Sequence, residues 1–152
     1  MKAAILAIAL ALLAPLPAAA QVMADPDVVA TFLEDYGLKV TRDKDDQGDP
    51  MLSSRIEGIY FDVYFYGCTK GTDCDSIEFS ALFSSDQPVD VSVANDWNRQ
   101  GRFARAYIDE DGNPNLEFDV NLDFDGVGGK NFDDTIDIWR AALSDFRQHI
   151  NW

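Results

Sequence analysis

Residues 59–66 read I-Y-F-D-V-Y-F-Y and decide the fold class of the chain. A run this rich in aromatic and β-branched side chains is typical of a β-strand, whose alternate residues point to opposite faces. One face is wholly apolar and consists of Ile59, Phe61, Val63 and Phe65. The other face carries Tyr60, Asp62, Tyr64 and Tyr66. The sequence therefore predicts a strand with one face in the core and the other turned outward.

The segments beside this strand predict an antiparallel sheet. Residues 76–83 (S-I-E-F-S-A-L-F) form its natural hairpin partner. Further strands are predicted over 38–42, 51–57, 103–108 and 115–124, with the last two joined at the turn D-E-D-G-N-P. Strands that are neighbours in sequence favour antiparallel pairing.

Three helices are predicted between and beyond these strands. The first covers 26–36 after a cap at Asp25, and the second covers about 91–100 between a cap at Asp90 and Gly101. The last begins at a cap formed by Asn131, with Asp134 three residues on. Its apolar stripe consists of Phe132, Ile136, Trp139, Leu143, Phe146 and Ile150. A stripe this long must lie on the sheet or against a second copy of the chain. The fold class is α+β with antiparallel strand pairing, in the order α-β(3-4)-α-β(2)-α.

The first twenty residues predict a secretory signal peptide. Lys2 precedes an apolar run over 3–13, which is too short to span a bilayer. Small residues end the segment, so a cut after Ala20 is predicted, with a cut after Ala24 as the second choice. We expect a periplasmic or secreted protein with a single domain over 25–152.

The charge of the chain is strongly negative. The whole sequence has a net charge of −15, which becomes −16 when residues 1–20 with Lys2 are removed. Such a field repels nucleic acid and anionic lipid, and it favours a cationic partner such as a basic protein, a polyamine or a divalent ion. The alternative is that the negative charge serves only to keep the protein soluble.

Cys68 and Cys74 are the two cysteines of the chain. Export places them in an oxidising compartment, where an even number at short spacing suits an intrachain disulfide. A redox pair or a thiolate metal site fits less well, because the spacing is C-x5-C and not C-x-x-C and because no histidine lies nearby in the sequence. We therefore predict a disulfide that closes the hairpin between 59–66 and 76–83.

The chain resembles the YbjN family of bacterial proteins, in a secreted form. The motifs that carry the resemblance are F-Y-G at 65–67, N-x-W-N at 95–98, R-F at 102–103, A-Y at 106–107 and D-x-D-G at 109–112. The resemblance implies a fold similar to type III secretion chaperones, which is a twisted antiparallel sheet flanked by helices and is often dimeric. It implies a role in sensory transduction, and it supplies no catalytic residues.

The stretch 95–107 (N-D-W-N-R-Q-G-R-F-A-R-A-Y) concentrates arginine, asparagine and aromatic residues in an acidic chain. The candidate binding seam consists of Asn95, Trp97, Asn98, Arg102, Phe103, Arg105 and Tyr107. One interpretation is a structural junction, in which the asparagines bond backbone groups and the arginines pair with carboxylates. The other is a docking site, in which Arg102 and Arg105 form an electropositive spot for an anionic ligand or a partner's carboxylate.

No enzymatic or metal site is predicted. Calcium-like starts at 43–48 and 121–126 lack the bidentate glutamate at position twelve of an EF-hand loop, and the start at 109–112 is too short and is better interpreted as a turn. His149, the single histidine, lies near the end of the last helix, and no G-x-S-x-G or nucleotide-binding motif occurs. We therefore expect a non-enzymatic protein without cofactor that binds a protein or small ligand and can form a homodimer. The alternatives are a divalent-cation (calcium) binding protein and an acidic inhibitor of a basic hydrolase.

Overall fold

The central hairpin is built from the two strands on which the sequence prediction rested. The computed structural model describes residues 21–152, so the predicted signal peptide lies outside the described residues. The helices are α1 (Pro26–Asp35), α2 (Val91–Gln100) and α3 (Gly129–His149). The strands are β1 (Gln21–Val22), β2 (Thr41–Lys44), β3 (Pro50–Ile56), β4 (Ile59–Tyr66), β5 (Ser76–Leu82), β6 (Arg105–Ile108), β7 (Pro114–Asn121) and β8 (Val127–Gly128).

The six longer strands form one antiparallel sheet in the order β2-β3-β4-β5-β7-β6. The predicted α+β class and the grouping of four strands, a helix and two strands are confirmed. β4 and β5 pair from Asp62 opposite Ser80 to Tyr66 opposite Ser76. The four apolar residues of β4 are buried, as the alternation predicted. The sheet thus has an inner face toward the core and an outer face toward solvent.

The helices cover the inner face. Trp139 of α3 lies with its ring centroid 6.0 Å from that of Phe61 and 5.7 Å from that of Phe79. Phe32 of α1 contacts Phe132 of α3 edge to face, with ring centroids 5.9 Å apart. The apolar stripe of α3 is therefore buried on the sheet, and it is not available as a dimer face. None of the helices described between residues 21 and 152 is long and apolar enough to cross a membrane.

Several predicted boundaries differ from the structure. The strand predicted over 38–42 is β2, Thr41–Lys44, and the hairpin predicted over 103–108 and 115–124 is formed by the shorter β6 and β7. The predicted cap at Asn131 is wrong. α3 begins at Gly129, directly after β8, and Asn131 lies inside the first turn, where its carbonyl accepts a hydrogen bond from Thr135 Oγ1 at 3.0 Å.

A small second sheet was not predicted. β1 pairs with β8, with Gln21 opposite Gly128 and Val22 opposite Val127. Strands of two residues carry too little alternation to be recognised in a sequence. This sheet lies beside the N-terminus of α3, and its residue Val22 is completely buried.

The predicted disulfide is present between Cys68 and Cys74. It closes the loop between β4 and β5, where Asp75 N donates to Tyr66 O at 2.9 Å. The covalent link therefore fixes the end of the central hairpin.

Candidate functional site

The stretch 95–107 joins α2 to the edge strand β6. Asn98 donates from Nδ2 to Ala106 O at 2.9 Å and accepts at Oδ1 from Ala106 N at 2.8 Å. Trp97 Nε1 donates to Ala104 O at 3.2 Å. These bonds satisfy backbone groups that would otherwise lie open along the edge of the sheet, where unpaired strands invite aggregation. The side chains of Asn98 and Trp97 thus join α2 to the β6 edge. The junction interpretation expected such backbone bonds from Asn95 as well, and within residues 21–152 Asn98 is the asparagine of the pair that forms them.

Gly101 lets the chain leave α2 beneath the indole of Trp97. A Cβ added at Gly101 would lie 3.1 Å from Trp97 O and 3.4 Å from the ring atom Cε2. The indole itself packs edge to face on Phe146 of α3, with centroids 5.1 Å apart. The end of α2 is therefore fixed against both β6 and α3.

Arg105 lies on the outer face among three carboxylates. Its Nη2 is 2.8 Å from Glu78 Oε2 and 2.7 Å from Glu117 Oε2, and its Nε is 3.6 Å from Asp119 Oδ2. The side chains of Glu78 and Glu117 are only 9% and 12% exposed, so the guanidinium neutralises charges that have little access to water. The predicted electropositive spot of Arg102 and Arg105 is therefore wrong for Arg105, whose charge is already paired within the chain.

The pKa values around Arg105 show that the outer face has a negative field. Burial and the charge of Glu117 raise the pKa of Glu78, against the hydrogen bond from Arg105. Burial and the charge of Glu78 raise the pKa of Tyr66 to about 12. Burial and the charge of Glu117 likewise raise the pKa of Tyr107 to about 12. Tyr107 thus belongs to this acidic face and lies apart from the contacts between α2 and α3.

Arg102 and Phe103 are arranged differently. The Arg102 guanidinium lies over the Phe103 ring, 5.0 Å from its centroid, and it forms no ion pair with any residue between 21 and 152. Phe103 has a φ of +70° and a side chain that is 58% exposed. A bulky residue with positive φ costs about 1–3 kcal/mol, and such strain is concentrated at functional sites.

A groove lies between the loop at 101–104, which follows α2, and α3. Its volume is about 600 Å³. Its apolar lining includes Trp97, Phe103, Ile138, Ala141 and Ala142. Polar side chains at the groove are Gln100, Arg102, Asp145, Gln148 and His149. Three seam residues predicted from the sequence therefore meet α3 at one concavity: Trp97, Arg102 and Phe103.

The contribution of α3 to the groove was missed in the sequence. Ile138, Ala141 and Asp145 recur at helical spacing beside the buried stripe, and this second face was the available signal. His149 was expected only to favour the helix end. Instead its Nε2 lies 2.9 Å from Val93 O and its ring centroid 5.7 Å from that of Trp97, so it closes one end of the groove.

Asn95, the remaining seam residue, is exposed, and its side chain makes no hydrogen bond within the described part of the chain. It is not one of the residues that line the groove.

The calcium-like stretches use their carboxylates on their own backbone. Asp45 Oδ1 accepts from Gln47 N and Asp49 N, both at 2.9 Å. Asp109 Oδ1 accepts from Asp111 N at 3.0 Å and Asn113 N at 2.7 Å. Over residues 21–152 no three side chains of His, Cys, Asp or Glu converge as a metal site. These loops are therefore turns closed by aspartate side chains.

Comparison with known proteins gives a family for this fold. No curated protein matches the chain closely enough to count as a relative. The YbjN family, described as "Putative bacterial sensory transduction regulator", matches residues 25–152. That description names a regulator and no enzymatic reaction. Because the match spans every described helix and all strands except β1, the chain belongs to the YbjN family.

Proposed function

We propose that this protein is a non-enzymatic binding protein of the periplasm, with a regulatory or chaperone-like role. The binding site is the groove between α2, the loop at 101–104 and α3. Its occupant is a segment of a partner polypeptide that places an apolar side chain in the groove and a carboxylate on Arg102. The regulatory role agrees with the family description, and the signal-like residues 1–20 together with the disulfide support export.

The proposal rests on the backbone conformation and the exposure of Phe103. Its backbone is held at positive φ, yet the residue is 58% exposed beside an apolar concavity. Part of the ring contacts Phe118, with centroids 6.0 Å apart, so the side chain is positioned and not free. Phe124 also combines a positive φ with exposure, but it does not line the groove. It is therefore the position of Phe103 beside the apolar concavity, together with its strained backbone, that supports a preformed binding site.

Arg102 gives the site its preference for a carboxylate. The arginines at 42, 99, 105 and 140 are each paired with carboxylates of the chain. Arg55, Arg102 and Arg147 form no ion pair between residues 21 and 152, and of these three Arg102 is the one that lines the groove. Its guanidinium donors can form a bidentate bond with a carboxylate beside the apolar lining. In a protein of this net charge, an unpaired arginine favours an acidic group only at short range, so it selects the site and does not steer the approach.

A defined probe tests the groove before any partner is known. Anilinonaphthalene sulfonate combines aromatic rings with one negative charge, and its fluorescence rises on apolar protein surface. We expect saturable binding to the folded protein, weakened at least fivefold by Arg102→Glu and by Ala141→Trp, which fills the groove. Lys130→Glu is the matched charge control, because Lys130 is exposed at the start of α3 and does not line the groove. Equal binding by all four proteins would place the dye elsewhere and remove this site.

A basic partner on the outer face is the second candidate. The register places Tyr64, Glu78 and Asp119 in one row across three strands, and Asp62, Ser80 and Glu117 in the next. This face already binds one guanidinium, that of Arg105, and most of its remaining charge is negative. It therefore favours the cationic partner that an acidic inhibitor of a basic hydrolase would have. Complexes that are stoichiometric at low salt and dissociate in high salt would support this candidate.

The divalent-cation alternative has no favouring observation, since metal ligands do not converge between residues 21 and 152. A melting temperature that does not change between chelator and millimolar calcium would remove it.

A further inference from the structure

β1 is packed into the folded domain, although the family match begins after it. Val22 is fully buried, and its strand pairs with β8 just before α3. The family match covers residues 25–152, so residues 21–24 lie outside the matched span. These four residues also lie between the two positions that the sequence allows for the signal-peptide cut.

Close contacts hold residues 21–24 on both sides. A Cβ added at Gly126, where φ is +62°, would lie 2.2 Å from Val22 O, so the backbone of the β7–β8 connection packs directly on β1. Ala24 is 1% exposed, and its carbonyl accepts a hydrogen bond from Cys74 N at 3.2 Å. The segment thus links the disulfide loop to the start of α3.

The two cuts have very different consequences for this structure. A cut after Ala24 would remove the buried Val22 and Ala24, leave Cys74 N without its acceptor and deprive β8 of its partner strand. A cut after Ala20 removes none of these contacts and leaves Gln21, which is exposed, as the first residue. We infer that the processing site is the bond between Ala20 and Gln21, and that residues 21–24 remain as a structural part of the mature domain.

The direct test is the amino-terminal sequence and intact mass of the full chain after export from a bacterial host. A mature protein that starts at Gln21 is the expected result. A start at Asp25, or a chain that keeps residues 1–20, would overturn the inference. Substitution of Ala20 by Phe, which violates the small-residue rule at the cut, should leave the precursor uncut or move the cut.

A second test asks whether residues 21–24 act in the fold, independently of the protease. Oxidised proteins covering 21–152 and 25–152 are compared by thermal melting. The shorter protein should melt lower by about 5 °C or more, or fail to fold, because it lacks buried apolar side chains. Within the longer protein, Val22→Ala should lower the melting temperature, and Gln21→Ala should not. Equal melting of the two proteins would remove the structural reason for the earlier cut.

Discussion

Asn98 binds both backbone groups of Ala106 with one side chain, through bonds of 2.9 Å and 2.8 Å. In this way an amide on a helix replaces the missing neighbour strand at the β6 edge. The stretch 95–107, which suggested a binding site in the sequence, thus has two roles. Asn98, the indole nitrogen of Trp97 and Arg105 secure the fold, while Arg102 and Phe103 lie at the groove.

Asn98→Ala should destabilise the protein by about 1–3 kcal/mol, because both hydrogen bonds are lost and the edge groups of Ala106 are left without a partner. Denaturation in urea measures the change. Asn95→Ala is the matched control on the same helix, and its effect should stay within about 0.5 kcal/mol. Equal effects of the two substitutions would contradict the assignment of Asn98 to the sheet edge.

Arg105→Met should destabilise the protein by about 1–3 kcal/mol, since Glu78 and Glu117 would keep their charges without a partner. The comparison is Arg99→Met, which removes an exposed pair with Asp96 and should cost less than about 0.5 kcal/mol. Adding Glu78→Gln to Arg105→Met should recover part of the lost stability. No recovery would show that the arginine does not act through that carboxylate.

The raised pKa values of Tyr66 and Tyr107 predict a loss of stability at alkaline pH. Each phenol has a folded pKa of about 12 against an unfolded value of about 10. The folded state therefore holds these protons more tightly, and their contribution is complete below pH of about 10 and is lost as the pH rises toward about 12. Ultraviolet titration measures the phenolates directly. Tyr66→Phe and Tyr107→Phe should each remove one late-titrating group; loss of an early one would refute the shift.

Phe103→Gly separates strain from packing. Phe103→Gly and Phe103→Ala both lose the contact of the ring with Phe118. Glycine adopts positive φ without the cost of about 1 kcal/mol or more that a Cβ adds, so the glycine variant should be the more stable of the two. Binding of anilinonaphthalene sulfonate should fall at the same time, because the exposed ring is gone. A glycine variant that is less stable than the alanine variant would show that the backbone at Phe103 carries no strain, and it would weaken the case for a preformed site.

Much of the fold could be predicted because its signals are local and periodic. The alternation in β4 fixed which face is buried, and the spacing of Phe132, Ile136 and Trp139 fixed the buried side of α3. The start of α3 was misplaced because β8 leads directly into the helix at Gly129, and a backbone connection of this kind leaves no capping residue in the sequence.

The candidate site could be predicted only in part. The composition of the stretch identified the seam residues. Which of them hold the fold together and which line the groove depends on partners far away in the sequence: Arg105 pairs with Glu78 of another strand, and Trp97 packs on Phe146 of another helix. Pairings across such sequence distances are set by the register of the sheet and the packing of α3. The groove therefore emerged only from the folded chain.

The most direct test of the binding proposal is a pull-down from periplasmic extract with the tagged mature protein. Parent, Arg102→Glu, Ala141→Trp and Lys130→Glu are compared, and bound proteins are identified by mass spectrometry. Arg105 is left intact, since its loss would disturb the fold. The account predicts a partner that the parent and Lys130→Glu retain and that both groove variants, still folded, lose. A partner retained equally by all four proteins, or by none, would contradict the groove as the docking site.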